Sequence, residues 1–242
     1  MKNKRNCLFM LIVLIPVLFT STIKANAINT GFDTCDMPAE EKTSIISNIN
    51  LTQITEEPAK KSIVCFAVSD NHMIAVGQEA SIKKTVCVYS SEGAFQYGYT
   101  FVDYGTFGLE WDGENLNIYF VRGGLVISVT PSGEVIDVLD IQDTTHNNSY
   151  TKDILYSTKR KIGCIEYTLE NNMGFLNSVA SSYSILSIIN ANGEKNVIYN
   201  VHDNQLFNTT LKYVYTVTFI CIVVVVLFVG IIIKLIVNHK RS

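Results

Sequence analysis

The sequence lacks the short motifs that most often identify an enzyme or a metal protein. It has no Cys-x-x-Cys pair, no glycine-rich phosphate loop and no serine nucleophile elbow, which argues against zinc, nucleotide and hydrolase sites of those types. Asp112–Asn115 has too few oxygen ligands for a calcium loop. Three histidines lie in polar turns without a ligand-spaced partner: His72, His146 and His202. We therefore predict no catalytic residue, no cofactor and no metal ligand.

Basic residues are scarce in the middle of the chain. All 22 acidic residues but only 12 of the 19 basic residues lie in residues 28–212, so that region has a net charge of −10 although the whole chain has −3. An acidic domain of this kind is soluble and repels nucleic acid and anionic lipid. We therefore expect no nucleic-acid partner.

The first 27 residues have the three parts of an export signal. A basic start, Met1–Arg5, precedes 13 apolar residues from Cys7 to Phe19, and Ala25 and Ala27 occupy the small-residue positions of a signal-peptidase site. The apolar stretch is short for a spanning helix, which needs about 20 residues. We predict a signal peptide over residues 1–27; the alternative is an uncleaved N-terminal anchor.

A second apolar segment lies near the C-terminus. Tyr213–Ile233 contains 21 residues without a charge, and as a helix it would be about 31 Å long, which matches the hydrocarbon core of a bilayer. Basic residues follow it, including Lys234 and Arg241. Because positive flanks remain in the cytoplasm, we predict a transmembrane helix over 213–237 and a cytoplasmic tail over 238–242. The protein would be single-pass in the cell membrane, with its larger part outside.

Three hairpin signals repeat between residues 62 and 205. Each has a β-branched run, a turn that ends in glycine and a second run, and the glycines are Gly93, Gly133 and Gly193. Glycine there supplies the positive φ that a tight hairpin needs. Each hairpin follows another predicted strand pair, which makes four antiparallel strands per unit. The upstream pairs are Ile63–Val68 with Met73–Gly77, Phe107–Trp111 with Leu116–Val121, and Ile154–Ser157 with Ile162–Tyr167.

One of these units resembles a known repeat. The run Phe-Gly-Leu-Glu-Trp-Asp-Gly from Phe107 to Gly113, followed by the hairpin at Gly133, resembles blades of NHL-like bacterial β-propellers. The resemblance covers about residues 62–201 and implies a mainly β fold with three four-stranded propeller-like blades in residues 62–205. The extra residues of the third unit would form loops at Gln142–Lys152 and Asn171–Ser182.

Three blades do not close a ring, because propellers typically have four to eight. The open edges would be covered by residues 28–61, by a second copy of the chain, or by curling into a sandwich. We predict that 28–61 is a cap with a helix over 38–48 begun by Asp36, and with a strand over Leu51–Thr55. The alternative is a flexible stalk. The apolar stripe of that helix would be Ile45, Ile46 and Ile49. A juxtamembrane linker over 206–212 would join the β domain to the membrane helix.

Alternating aromatic residues mark the second strand of the first hairpin. Phe95, Tyr97, Tyr99 and Phe101 would share one face of a strand. They would either form a stacking platform for a sugar or peptide or pack between blades. Trp111 would anchor the same core.

Acidic residues offer one route to an enzyme. If Glu110, Asp112, Asp70 and Glu166 converged in one cleft, they could perform acid–base chemistry. Exposure on the blade edges is the alternative. Convergence would favour a hydrolase or lyase on a propeller scaffold, and exposure on the edges would favour a binding protein.

Two cysteines test the blade arrangement. Cys65 and Cys87 fall on the first and third strands of one unit, so their Cα atoms would lie about 9.6 Å apart. A disulfide needs less than about 7 Å. We predict that the pair is unbridged and buried.

These observations favour a membrane-anchored extracytoplasmic binding or protein-interaction module over an enzyme. Its partners would be the lipid bilayer, through one helix, and a protein or glycan ligand. A second copy of the chain would complete six blades. A further alternative is an accessory subunit of a membrane complex.

Overall fold

A computed structural model describes residues 28–78 and 80–239, with side chains described as far as residue 233. In those residues fourteen strands form three antiparallel sheets, and one long apolar helix follows them. The predicted mainly β class is confirmed. The predicted signal peptide and residues 240–242 of the predicted tail lie outside the described residues.

The chain forms the three sheets in a simple order. Sheet I contains β2 (Thr52–Ile54), β3 (Ile63–Val68), β4 (Ile74–Gln78), β5 (Lys83–Tyr89) and β6 (Phe95–Val102). Sheet II contains β1 (Thr34–Cys35), β7 (Phe107–Asp112), β8 (Asn115–Phe120), β9 (Leu125–Val129) and β10 (Val135–Ile141). Sheet III contains β11 (Lys159–Ile162), β12 (Ile165–Glu170), β13 (Ile185–Ile189) and β14 (Lys195–Asn200). The helices are α1 (Ala39–Ile49), α2 (Thr145–Tyr156), a 3-10 helix (Gly174–Val179) and α3 (His202–His239).

Within each sheet the strands of a unit pair in sequence, and β2 and β1 add to the outer edges of sheets I and II. The orders are β2-β6-β5-β4-β3, β1-β10-β9-β8-β7 and β11-β12-β13-β14. Each sheet therefore contains the four-stranded meander that the repeats predict.

Sheet I lies between the other two and is buried on both faces. One face packs on sheet II through residues that include Ala67, Val88 and Phe101. The other face packs on sheet III through residues that include Phe66 and Cys87. A strand buried on both faces has no polar side, which explains the apolar runs Ile74–Gly77 in β4 and Val86–Tyr89 in β5.

The three hairpins have the same local geometry. Gly93, Gly133 and Gly193 have φ values of 81°, 86° and 80°, and each donates its N–H to the carbonyl three residues earlier. Their surroundings differ. A side chain at Gly133 would meet Gln53 of sheet I, and one at Gly93 would meet Ile198 of sheet III. One at Gly193 would meet no described atom within 4 Å. The sheets thus follow one another as II, I and III without closing a ring.

The third unit differs from the prediction in its first half. Ile154–Ser157, predicted as a strand, and Gln142–Lys152, predicted as a loop, contribute to helix α2. Thr144 caps this helix by accepting the N–H of Asn147, and its buried residues include Ile154. The first strand is β11 instead, joined to β12 by a tight turn at Gly163, whose φ is 58°.

Residues 28–61 pack against two sheets. Helix α1 agrees closely with the prediction, but Asp36 does not cap it. The Asp36 carboxylate accepts the N–H of Met37 and pairs with Lys42 at 2.5 Å. Ile46 is 37% exposed, so the apolar stripe consists of Ile45 and Ile49. Strands β1 and β2 pair with β10 and β6, so the segment lies on the domain and does not form a stalk.

Helix α3 continues without interruption from the β domain into the apolar segment. It includes residues 206–212, which were predicted as a linker. From His202 to Ile233 it is long and apolar enough to cross a membrane, with a mean hydropathy of 3.2 in its most apolar part, none of it buried. This finding fits a single-pass membrane protein.

Candidate functional site

A small cleft opens where sheets I and II meet helix α2. Its volume is about 200 Å³, and its lining includes Asp70, Glu110, Trp111, Tyr150 and Arg160. Ligand sites for drug-sized molecules typically occupy about 300–1,000 Å³. The cleft is therefore smaller than most sites for drug-sized ligands.

The Glu110 carboxylate in this cleft is hydrogen-bonded to other parts of the chain. It accepts hydrogen bonds from the Thr30 hydroxyl at 2.6 Å, from the Gly31 N–H at 3.1 Å and from the Tyr150 hydroxyl. Burial, followed by the hydrogen bond to Glu110, raises the pKa of Tyr150, so this hydroxyl remains a donor. Glu110 therefore fastens the N-terminal segment onto the outer face of sheet II.

The four acidic residues that an enzyme would need do not converge. Asp70 and Glu110 line the same cleft, whereas Asp112 accepts the N–H of Asn29 at 2.9 Å. Glu166 lies on sheet III and pairs with Lys159 at 2.8 Å. The arrangement brings together two of the four carboxylates, and one of those two is engaged in fold contacts.

The sequence does not indicate that two of the side chains, Tyr150 and Arg160, belong to the cleft. Tyr150 lies 40 residues from its acceptor Glu110. Arg160 donates to the Asp153 carbonyl at 3.0 Å and lies 5.9 Å from the centre of the Phe66 ring. Burial lowers the pKa of Arg160. Neither residue belongs to a motif, so only the folded chain places them together.

The aromatic strand is packed in the core. Tyr99 and Phe101 are at most 1% exposed and face sheet II, and the Tyr99 hydroxyl donates to the Thr130 carbonyl at 2.7 Å. The prediction that Phe95 shares their face is wrong. A bulge between Val88 and Tyr89 shifts the register, so Phe95 packs towards sheet III. Packing between sheets, and not a stacking platform, accounts for Tyr99 and Phe101.

The three histidines lie apart from one another in the fold. His72 Nδ1 is 2.7 Å from the Tyr167 hydroxyl, and His146 Nε2 is 2.9 Å from the Gly31 carbonyl oxygen. His202 begins helix α3. No group of three metal-ligating side chains occurs among the described residues.

Cys65 and Cys87 are unbridged and buried, as predicted. They lie on opposite faces of sheet I. Burial raises the pKa of both thiols, that of Cys87 to about 11. Neither thiol is therefore an available nucleophile at neutral pH.

A larger groove lies between the β domain and helix α3. Its volume is about 930 Å³, and Lys60–Ser62, Val179–Ser182 and helix residues between Asn204 and Ile220 line it. Contacts of Gln205 and Tyr213 help to hold the helix against the domain. The Gln205 amide donates to the Ser182 carbonyl at 2.6 Å, and the rings of Phe175 and Tyr213 meet edge to face at 5.8 Å.

The groove is amphipathic. Three lysines line it, Lys60, Lys61 and Lys212, and no acidic residue does so among the described residues. Its apolar part includes Phe207, which is 67% exposed. Sequence reasoning missed this groove because Lys60–Ser62 lies more than 100 residues before the other segments that line it.

The two candidate sites, the groove and the cleft, differ in volume. The groove falls within the range of known ligand sites, and the cleft does not. No protein-family model, curated protein or solved structure matches the chain. Functional inference therefore depends on the groove and on the helix beside it.

Proposed function

We propose that the chain is a membrane-anchored extracytoplasmic binding module and that the groove beside helix α3 is its binding surface. The observation that carries this proposal is the position of the groove. A cavity of about 930 Å³ lies against the same helix that is long and apolar enough to cross a membrane. Whatever occupies the groove is therefore bound next to the bilayer.

The contacts of the acidic residues favour binding over catalysis. Glu110 and Asp112 hold residues 29–31 on sheet II. A general acid or base needs access to a substrate proton, and the Glu110 carboxylate accepts three hydrogen bonds from other parts of the chain. A hydrolase or lyase in the cleft is for that reason the weaker proposal.

The propeller relationship is part of the proposal. Three hairpins with equivalent glycines and three adjacent meanders support an incomplete NHL-like propeller as the scaffold. Rigid strands of this kind hold loops and grooves in fixed positions, which suits recognition. A second copy of the chain could cover the free end of sheet III.

Native cysteines allow a direct test of topology. Cys35 and Cys164 are exposed on the β domain. A membrane-impermeant maleimide added to intact cells should label both. With Cys35→Ser and Cys164→Ser in place, Ser242→Cys should be labelled only after permeabilisation. Labelling of the tail but not of the domain in intact cells would reverse the proposed orientation.

The binding surface is tested by photocrosslinking in membranes. A benzophenone amino acid in place of Phe207, inside the groove, should form an adduct with a bound molecule. The matched control is the same replacement at Tyr104, which is 69% exposed but does not line the groove. Absence of any adduct at position 207 would reject the groove as a binding surface.

A further inference from the structure

The charge of the groove is opposite to that of the domain around it. Residues 28–212 have a net charge of −10, yet the groove has three lysines and no acidic residue in its described lining. Lys60 pairs with the Glu57 carboxylate at 3.4 Å. Lys60 is also held over the rings of Tyr89 and Tyr199, at 5.6 and 5.2 Å. These contacts hold the Lys60 ammonium group in place at the cationic end of the groove.

The groove changes character along the helix. From Asn204 to Ile220 it extends about 24 Å at 1.5 Å per residue. Its first part carries amides, among them Asn204 and Asn208, and its last part carries Val217 and Ile220. Tyrosines at the boundary of an apolar segment mark the water–lipid interface, and Tyr213 and Tyr215 lie between the two parts. One end of the groove is polar and cationic, and the other end runs along the apolar segment of the helix.

A contact with the β domain lies at the start of the uncharged segment of helix α3. Phe175 of the 3-10 helix packs on Tyr213, the first residue of the uncharged segment. Phe175 is 73% exposed and Val179 is 55% exposed, which is unfavourable in water. Burial of both side chains among lipid headgroups and acyl chains would remove that cost. The lysine end of the groove then faces the headgroup layer.

We propose that the groove binds an anionic phospholipid from the leaflet on the side of the β domain. The lipid phosphate lies against Lys60 and Lys61, and an acyl chain follows the helix past Val217 and Ile220. This inference rests on the proposed function, since it names the ligand of the same groove. It refines the expectation from composition, because the local charge of the groove reverses the repulsion that the whole domain exerts on anionic lipid.

The test uses the full chain in nanodiscs that contain equal amounts of phosphatidylcholine and phosphatidylglycerol. Native mass spectrometry of the released protein counts the lipids that remain bound. Lysines near a membrane surface attract anionic lipid, and with two of them at the phosphate we expect the wild type to retain phosphatidylglycerol about thirtyfold over phosphatidylcholine.

Substitutions assign that preference to the groove. Lys60→Gln with Lys61→Gln should bring the retention ratio close to parity. Lys83→Gln with Lys152→Gln, two exposed lysines outside the groove, should leave it unchanged. Because Lys60 also contacts Tyr89 and Tyr199, Lys61→Gln alone serves as a second variant, with a smaller loss expected. Equal retention in the wild type and in these groove variants would overturn the proposal.

Two further arms separate the alternatives. Excess inorganic phosphate should not displace the lipid; complete displacement would mean that the groove is a site for free anions. The Phe207 crosslink should contain phospholipid. If it contains a protein instead, the groove remains a binding surface but the lipid inference is wrong. If it contains nothing, both proposals fail.

Discussion

Sheets I and III contain the same four-stranded meander and the same glycine hairpin but have opposite surroundings. Sheet I is covered on both faces and has β2 on its outer edge. Sheet III turns the ion pairs Lys159–Glu166 and Lys195–Glu170 to solvent. No described strand pairs with the outer edge of β14. Local sequence thus determines strands and turns, while the order of the sheets determines burial.

The largest effect should come from a large side chain at the centre of sheet I. Phe101→Ala removes a ring that is 1% exposed and should lower the free energy of unfolding by about 3–5 kcal/mol. Val197→Ala on β14, where the side chain is 53% exposed, should change it by less than about 0.5 kcal/mol. Urea unfolding of both variants in detergent measures the difference. Similar losses would contradict the burial asymmetry.

The hairpin glycines provide a matched series across the sheets. Alanine in place of any of the three hairpin glycines must adopt an unfavourable left-handed conformation, which lowers the free energy of unfolding by about 1 kcal/mol. Gly133→Ala also places a Cβ 2.9 Å from Gln53, and Gly93→Ala places one 3.2 Å from Ile198. We expect a loss of about 1 kcal/mol for Gly193→Ala and about 1 kcal/mol more for the other two. Thermal unfolding gives the order, and an equal cost at all three positions would show that the tips do not contact neighbouring sheets.

Alkaline pH should destabilise the β domain, in part through the buried Cys87 thiol of sheet I. The pKa of Cys87 is raised by burial from 9.0 to about 11, so the unfolded thiol ionises first. Its contribution to stability is complete below pH 9 and is lost as the pH rises towards 11. Within that window Cys87 should contribute about 1.4 kcal/mol per pH unit to the slope, in addition to the contribution of the buried Cys65 thiol.

A pair of cysteine variants isolates this contribution. Cys87→Ala should reduce the alkaline slope in urea unfolding experiments between pH 8 and pH 11. Cys164→Ala, at the exposed turn of sheet III, should leave it unchanged. If both variants reduce the slope equally, the titrating group is not the buried thiol.

The smallest effect belongs to the exposed face of sheet III. Glu166→Gln removes an ion pair in which the lysine side chain is 69% exposed. Exposed pairs of this kind contribute about 0.5 kcal/mol or less, and salt screens them. Unfolding in low and high salt should therefore differ little between the wild type and the variant. A loss above about 1 kcal/mol would mean that this face is covered.

The sequence predicts repeated local features well. The glycines at 93, 133 and 193 mark true hairpins, because the positive φ that they supply is a local requirement. Helix α2 was missed because residues 145–156 are mostly polar. Its signals were Thr144 as a cap and the spacing of Tyr150 and Ile154.

Non-local features could not be predicted from the sequence. The face of Phe95 depends on a bulge opposite Val88 and Tyr89, which shifts the register by one residue. The partners of Glu110 lie 40 to 80 residues away. The groove joins Lys60 to a helix that begins 142 residues later. Periodicity describes neighbours along the chain and contains no information about such pairs.

Helix α3 is continuous, so its first eleven residues form a rigid connection between the β domain and the apolar segment. Residues 202–239 contain no proline, and the eleven residues from His202 to Lys212 extend about 16 Å. A helix tilts when the thickness of the surrounding bilayer changes, and a tilt of about 10° moves the top of this connection sideways by about 3 Å. In the proposed membrane-anchored state, the orientation of the domain relative to the bilayer would therefore change with the thickness of the membrane.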